Sequence, residues 1–133
     1  MDESRLPILV GSGQFTQFEK DPLVALSPID LTSKAGMKAS EDSGAGKAIL
    51  KQLDTIVVIR SFSDTSWRFT CPFGKYSNPP LSVAKRLGAH NVNRYIYTHP
   101  GGNMPQWCVN KMFQMITRGE LEVGMICLLY TSD

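Results

Sequence analysis

The fold is decided in one short stretch that joins a predicted strand to a predicted helix, Tyr97-Thr98-His99-Pro100-Gly101-Gly102-Asn103-Met104-Pro105-Gln106. Two adjacent glycines let the backbone turn sharply and expose amide groups. The first turn of a helix also presents unpaired N–H groups beside the positive end of its dipole. Such a turn can hold a carboxylate, a phosphate or a developing oxyanion. The alternative is a tight turn whose amides are capped by Asn103, and the sequence leaves both interpretations open.

The helix that follows is predicted from Met104 to Arg118 and ends at Gly119. Its apolar residues cover more of the circumference than the single stripe of a surface helix, and they are Met104, Cys108, Val109, Met112, Phe113, Met115 and Ile116. The pattern therefore predicts a third helix that is mostly surrounded by protein.

Short apolar runs around this unit predict strands at residues 7–10, 55–59, 95–98 and 121–125. The run 55–59 is apolar without alternation, which indicates a strand covered on both faces. Strand-like and helix-like segments alternate along the chain. The sequence therefore predicts an α/β fold in which helices sandwich a sheet.

Two further helices have recognisable ends. One is predicted to start at Pro28, with Ser27 as its N-cap, and to bury the face that carries Leu31, Ala35 and Ala39. The other opens at residues 78–80, buries Val83, Ala84 and Leu87, and ends at Gly88.

Composition bounds the class of protein. The chain has 133 residues, of which 42% are hydrophobic and 20% charged, with a formal net charge of +2. This excludes disordered, collagen-like and coiled-coil chains. Basic and acidic residues are interleaved, so we expect neither a nucleic acid nor a membrane as partner. No apolar run reaches transmembrane length and residues 1–5 lack an export signal, so we expect a cytoplasmic protein.

The three cysteines, Cys71, Cys108 and Cys127, are widely spaced and form no CxxC pair. This argues against a disulfide framework and a structural zinc site, and indicates a reduced chain. Cys108 lies on the apolar side of its predicted helix, where a packed, unreactive thiol is favoured over a nucleophile. His90 and His99 have no metal-ligand spacing, so no metal is expected.

Two glycine motifs suggest phosphate binding, and neither is complete. The Gly11-Ser12-Gly13 motif lacks the third glycine of a dinucleotide fingerprint, since position 16 is Thr, and no helix is predicted to start there. Gly46-Lys47 is followed by Ala48, where a P-loop needs Ser or Thr. The sequence therefore gives no support for nucleotide binding of these two kinds.

Five stretches, at residues 6–14, 54–64, 78–80, 101–110 and 116–120, form a pattern of motifs, order and spacing. In this pattern the chain resembles the N-terminal part of the thiolase superfamily, most closely the thiolase-like acetyl-CoA acetyltransferases akin to the sterol carrier protein X thiolases. The resemblance covers nearly the whole chain up to about residue 126. It implies a thiolase-like half-domain: a mixed, mostly parallel sheet with helices on both faces and the third helix buried between two similar halves.

The resemblance also implies a chemistry. Thiolases form or cleave a carbon–carbon bond beside an acyl-CoA thioester, which is a substrate, with no covalently bound cofactor, and the full-length protein is expected to be a homodimer. In the family, a cysteine at the N-terminus of the third helix is acylated. That position falls at Gly102, or at Gly101 if the match at Gln106 is preferred. Cys108 lies between one and two turns further along and does not replace it.

The C-terminus departs from the family pattern. After residue 126 the family continues with small residues and an acid, whereas this chain reads Cys127-Leu128-Leu129-Tyr130-Thr131-Ser132-Asp133, which resembles translated sequencing adapter. We therefore expect residues 1–126 to be a partial N-terminal thiolase-like domain and residues 127–133 to be a non-native tail.

Two functions follow as expectations. The first is an acyltransferase acting on acetyl-CoA or other acyl-CoA thioesters, active as the full-length parent and inactive as this fragment alone. The second is a non-catalytic thiolase-like module that binds acyl-CoA or dimerises. No catalytic residue is identifiable, and the predicted substrate-binding residues are His99, Gly101, Gly102 and Asn103.

Overall fold

A computed structural model describes residues 5–19, 21, 23–60 and 77–129. Within these residues the chain forms four helices and three strands in the order α1 (Pro28–Asp42), α2 (Lys47–Gln52), β1 (Thr55–Val58), α3 (Pro79–Leu87), β2 (Arg94–Tyr97), α4 (Met104–Thr117) and β3 (Gly124–Cys127). The strands form a parallel sheet in the order β2-β1-β3, in which Thr55 lies opposite Arg94 on one side and Gly124 on the other.

Successive side chains of β1 point to opposite faces of the sheet, and both faces are buried. Ile56 and Val58 belong to the cluster that packs under α1 and α3, whereas Val57 and Ile59 belong to the cluster under α4. Because a fully buried apolar side chain contributes roughly 1.5–3 kcal/mol, this one short strand anchors both layers. The predicted strand covered on both faces is confirmed.

The helix ends are set by local chemistry. Ser27 caps α1, since its Oγ accepts a hydrogen bond from the Asp30 amide at 3.2 Å. Asn78 caps α3 in the same way, accepting from the Leu81 amide at 3.2 Å. Gly88 ends α3 in the left-handed conformation with φ 71°. These ends confirm the starts predicted at Pro28 and at residues 78–80.

The predicted buried face of α1 is wrong. The residues of α1 that are buried are Ile29, Thr32, Ser33, Gly36 and Ser40, whereas Leu31, Ala35 and Ala39 are only half-buried. Polar Ser33 is accommodated because its hydroxyl donates to the Ile29 carbonyl at 2.8 Å. Gly36 lets Leu87 approach, since a Cβ there would lie 3.2 Å from a Leu87 methyl. Small size, not hydrophobicity, selects this face.

The strand predicted at residues 7–10 is also wrong, because these residues are described and form no strand. The chain beyond them lies along α1. A Cβ at Gly11 or Gly13 would overlap the backbone of α1, and the Ser12 amide donates to Asp42 Oδ2 at 2.9 Å. These tertiary contacts hold the segment away from the sheet, and Ile8 and Leu9 remain 73% and 84% exposed.

The remaining strand and helix predictions differ in detail. β2 is found one residue before its predicted start, and β3 covers Gly124–Cys127 instead of residues 121–125, since Leu121 is buried in the turn that precedes it. The short helix α2 was not predicted, because its six residues are too few for a clear periodic pattern. Cys127, the first residue of the predicted tail, is the last residue of β3 and is buried.

Candidate functional site

The candidate site is the turn between β2 and α4, at the edge where the carboxyl ends of the parallel strands meet. Open α/β sheets bind their ligands at this edge. The turn is anchored at its start by Thr98, which is buried and whose amide donates to the Val58 carbonyl at 3.1 Å. His99, Gly102 and Asn103 are exposed. The structure therefore places the predicted binding residues together on one accessible turn.

Asn103 does not cap the helix with its side chain. It stands at the N-cap of α4 with φ −85° and ψ −12°, and makes no side-chain capping bond. Its carbonyl accepts from the Trp107 amide at 3.2 Å, and the Gly101 carbonyl accepts from the Met104 amide at 3.2 Å. Within the described residues, the amides of Gly102 and Asn103 have no hydrogen-bond partner. The capped-turn interpretation is therefore wrong for the Asn103 side chain.

The two glycines of the turn differ in what they tolerate. Gly101 has φ 144°, and a Cβ there would lie 2.8 Å from Asn103 Oδ1. Gly102 has no positive φ, and a Cβ there would meet no atom within 4 Å. Gly101 is therefore required by the backbone, whereas the backbone at Gly102 accepts a side chain.

Arg60 lies at the same edge of the sheet, two residues after the end of β1. It was not identified from the sequence as a site residue. Its Nε donates to the Thr98 carbonyl at 3.1 Å, and its guanidinium lies 4.2 Å from the centroid of the Tyr97 ring. The two residues are brought together by β1–β2 pairing across 38 positions of sequence. A positive charge following a buried strand is the signal that would have identified it.

The two thiols that the structure describes, Cys108 and Cys127, are not placed for chemistry at this turn. Cys108 faces the sheet with Met112 and Met115, and burial raises the pKa of its thiol. Burial also raises the pKa of Cys127, to about 12. Since a neutral thiol is a poor nucleophile, both cysteines serve as core residues. Cys71 lies outside the described residues.

Both histidines are exposed. His90 lies in the turn after α3, and His99 lies in the β2–α4 turn. Over residues 5–19, 23–60 and 77–129, no group of three or more His, Cys, Asp or Glu side chains is arranged to hold a metal ion.

One side of α4 is open to solvent. The side that faces the sheet buries Cys108, Met112 and Met115, whereas Trp107 is 51% and Phe113 41% exposed. Between them, Gln106 donates through Nε2 to Asn110 Oδ1 at 3.0 Å. The helix that carries the turn therefore presents two aromatic rings and a pair of amides outward.

A shallow depression lies between α1 and α3. Its main charged pair is Arg86 and Asp30, with Nε and Oδ1 2.6 Å apart. The hydrogen bond from Arg86 lowers the pKa of Asp30, assisted by the Ser27 hydroxyl, while burial opposes this shift. This pair joins two helices and is structural.

Comparison with known proteins bears on the fold. No protein-family model matches the chain, and no curated protein does. Among solved structures, the chain is similar to a monomeric SCP2-thiolase like protein type 1 from Mycobacterium smegmatis, with a TM-score of 0.74 and 24% sequence identity. The similarity covers 99% of this chain and 25% of that protein.

The fold is thiolase-like. This confirms the predicted α/β class, with parallel strands and helices on both faces of the sheet. The chain spans a quarter of the length of this structural neighbour, which is described as monomeric. In the described parts of the chain, no helix combines the length and the hydrophobicity needed to cross a membrane.

Proposed function

We propose that the thiolase-like chain forms part of an acyltransferase that acts on acetyl-CoA or other acyl-CoA thioesters, and that its β2–α4 turn binds the thioester carbonyl oxygen. The observation that carries this proposal is that the amides of Gly102 and Asn103, at the N-terminus of α4, have no hydrogen-bond partner among the residues that the structure describes. Amides aimed at a carbonyl oxygen stabilise the negative charge that develops on it during acyl transfer.

The proposal assigns the family's nucleophile position to Gly102. Of the two glycines, only Gly102 has room for a side chain. A Cβ at Gly101 would meet Asn103 Oδ1, and the backbone of Gly101 has a conformation that other residues rarely adopt. With glycine at this position, residues 98–104 contain no cysteine, so an acyl-cysteine intermediate at Gly102 is not part of the proposal. We infer that the turn orients the thioester and that another group performs the attack.

The second candidate is a non-catalytic module that binds acyl-CoA. It is favoured by the placement of Cys108 and Cys127, whose thiols are buried and have raised pKa values. In this version the turn binds the same thioester oxygen without covalent chemistry. A homodimer remains part of the proposal, and the neighbour, which is described as monomeric, does not support it.

The binding test is a titration of the ¹⁵N-labelled chain with acetyl-CoA, followed by the amide shifts of Gly102 and Asn103. Free CoA is the matched ligand, because it lacks the carbonyl oxygen and is expected to shift these amides less. Gly102→Pro removes one amide, and we expect about a fivefold weaker affinity, as for one lost hydrogen bond. Gly102→Ala is the control, since it keeps the amide and adds a Cβ in open space.

Equal shifts with CoA and acetyl-CoA, or equal affinities of the Pro and Ala variants, would contradict the proposed role of the turn. Intact-protein mass spectrometry of the full-length parent after incubation with acetyl-CoA then separates the two candidates. A stable acetyl adduct contradicts the non-catalytic module.

A further inference from the structure

Arg60 fastens the start of the β2–α4 turn through three contacts. Its amide donates to Thr98 Oγ1 at 3.4 Å, its Nε donates to the Thr98 carbonyl at 3.1 Å, and its guanidinium stacks 4.2 Å from the Tyr97 ring centroid. Thr98 in turn donates through Oγ1 to the His99 carbonyl at 2.8 Å. These contacts form a continuous chain from the end of β1 to the first residue of the turn.

We propose that Arg60 is a positioning residue that holds residues 99–103 in the geometry needed for binding at Gly102 and Asn103. The ligand of the turn is taken from the proposed function. The role of Arg60 in holding the turn rests on geometry alone. Thr98 is 6% exposed, and its carbonyl accepts the hydrogen bond from Arg60 Nε at 3.1 Å. Fixing this peptide fixes the direction in which the chain leaves the sheet.

The guanidinium suits this role in a way that an ammonium group does not. Its planar group stacks on the tyrosine ring while Nε donates in the same plane. A lysine at this position keeps the charge and is able to contact the ring, but it has no Nε donor near the Thr98 carbonyl. Arg60→Lys is therefore a test of the donor, and Arg60→Gln removes both the charge and the stack.

Arg86 offers a matched control. It is also an arginine that joins two elements, through Nε to Asp30 Oδ1 at 2.6 Å, and it lies among the helices on the other face of the sheet from α4. Arg86→Gln therefore removes a comparable arginine contact between two elements and leaves the β2–α4 turn unchanged.

The experiment measures ¹⁵N order parameters of Gly101, Gly102 and Asn103 in the 133-residue chain and in the three variants. In the wild-type chain we expect values near those of rigid backbone, about 0.85, and in both Arg60 variants a fall to below about 0.6. In Arg86→Gln we expect wild-type values. Acetyl-CoA is the probe for binding, and its dissociation constant is expected to rise about fivefold in Arg60→Gln and to stay unchanged in Arg86→Gln.

Wild-type order parameters in both Arg60 variants, a turn already mobile in the wild-type chain, or equal loosening by Arg86→Gln each overturn the proposal. Full rescue by Arg60→Lys also overturns it, because the Nε donor is then dispensable. If Arg60→Gln does not fold, Arg60→Lys decides the question. A wild-type chain that fails to bind acetyl-CoA contradicts the proposed function, while the order parameters still decide the role of Arg60.

Discussion

The two faces of the sheet differ in how completely they are covered. On one face, α1 and α3 cover a cluster that includes Ile56 and Leu87, together with the buried Leu50 of α2. On the other face, α4 packs over a second cluster, and its outer side leaves Trp107 and Phe113 about half exposed. Both faces therefore have a buried core, but the helix that covers the second face leaves large aromatic side chains open to solvent.

The largest test of this difference compares a core residue of the first face with an exposed aromatic residue on the outer side of α4. Leu87 is 4% exposed under α1, and we expect Leu87→Ala to lower the free energy of unfolding by about 3 kcal/mol, because it leaves a cavity. Phe113→Ala, on the open side of α4, is expected to change it by no more than about 0.5 kcal/mol. Urea unfolding followed by circular dichroism measures both, and similar losses would contradict the comparison.

The next test concerns the turn itself. We expect Gly101→Ala to cost about 1–3 kcal/mol, because φ 144° is a conformation that few other residues adopt and the new Cβ would meet Asn103 Oδ1. Gly102→Ala is expected to cost less than about 0.5 kcal/mol. The free energies of unfolding of the two single variants decide this, and a more damaging change at Gly102 would remove the assignment of the nucleophile position.

A third test uses pH to probe the first face. Burial raises the pKa of Cys127 from 9.0 to about 12 in the folded chain, so its contribution is fully present below pH 9 and is lost as pH rises toward 12. At about pH 10 this group alone is expected to lower the free energy of unfolding by roughly 1 kcal/mol. In Cys127→Ala, this part of the loss of stability at alkaline pH is expected to be absent. Parallel pH profiles of the wild-type and Cys127→Ala chains would show that the thiol does not contribute.

The smallest expected effect is at the exposed rim of the first face. Arg86 lowers the pKa of Asp30, so the pair stabilises the fold above the ordinary pKa and this contribution is lost as pH falls through the lowered one. Because the Asp30 side chain is 41% exposed, solvent screening limits the effect of Asp30→Asn to roughly 0.5 kcal/mol at neutral pH. At acid pH, where Asp30 is protonated, thermal unfolding of the wild-type and variant chains should coincide.

The site was predictable in part. Paired glycines before a helix predict a tight turn with exposed amides from local sequence alone. This pattern identified His99, Gly101, Gly102 and Asn103, which lie on one turn of the structure. Arg60 was not singled out, because its contact with Thr98 spans 38 residues and exists only once β1 and β2 pair. Local sequence cannot express a contact that depends on strand register.

Errors in the fold have the same origin. The apolar residues 7–10 have the composition of a strand, yet glycine contacts draw the adjoining chain onto α1. Apart from Ile29, the buried face of α1 consists of small residues, among them Gly36, which Leu87 of α3 approaches closely. Hydrophobic pattern predicts burial well where large side chains fill a core, and poorly where close approach decides.

By itself, the sequence determined the helix ends at Ser27, Asn78 and Gly88, the doubly buried strand β1 and the alternation that makes an α/β fold. These depend on side chains and neighbours within a few residues. Only the tertiary structure decided which strands pair, which side of α4 stays open, and that Arg60 reaches Thr98. Those features depend on distant segments meeting, and their free energy exists only when the chain is folded.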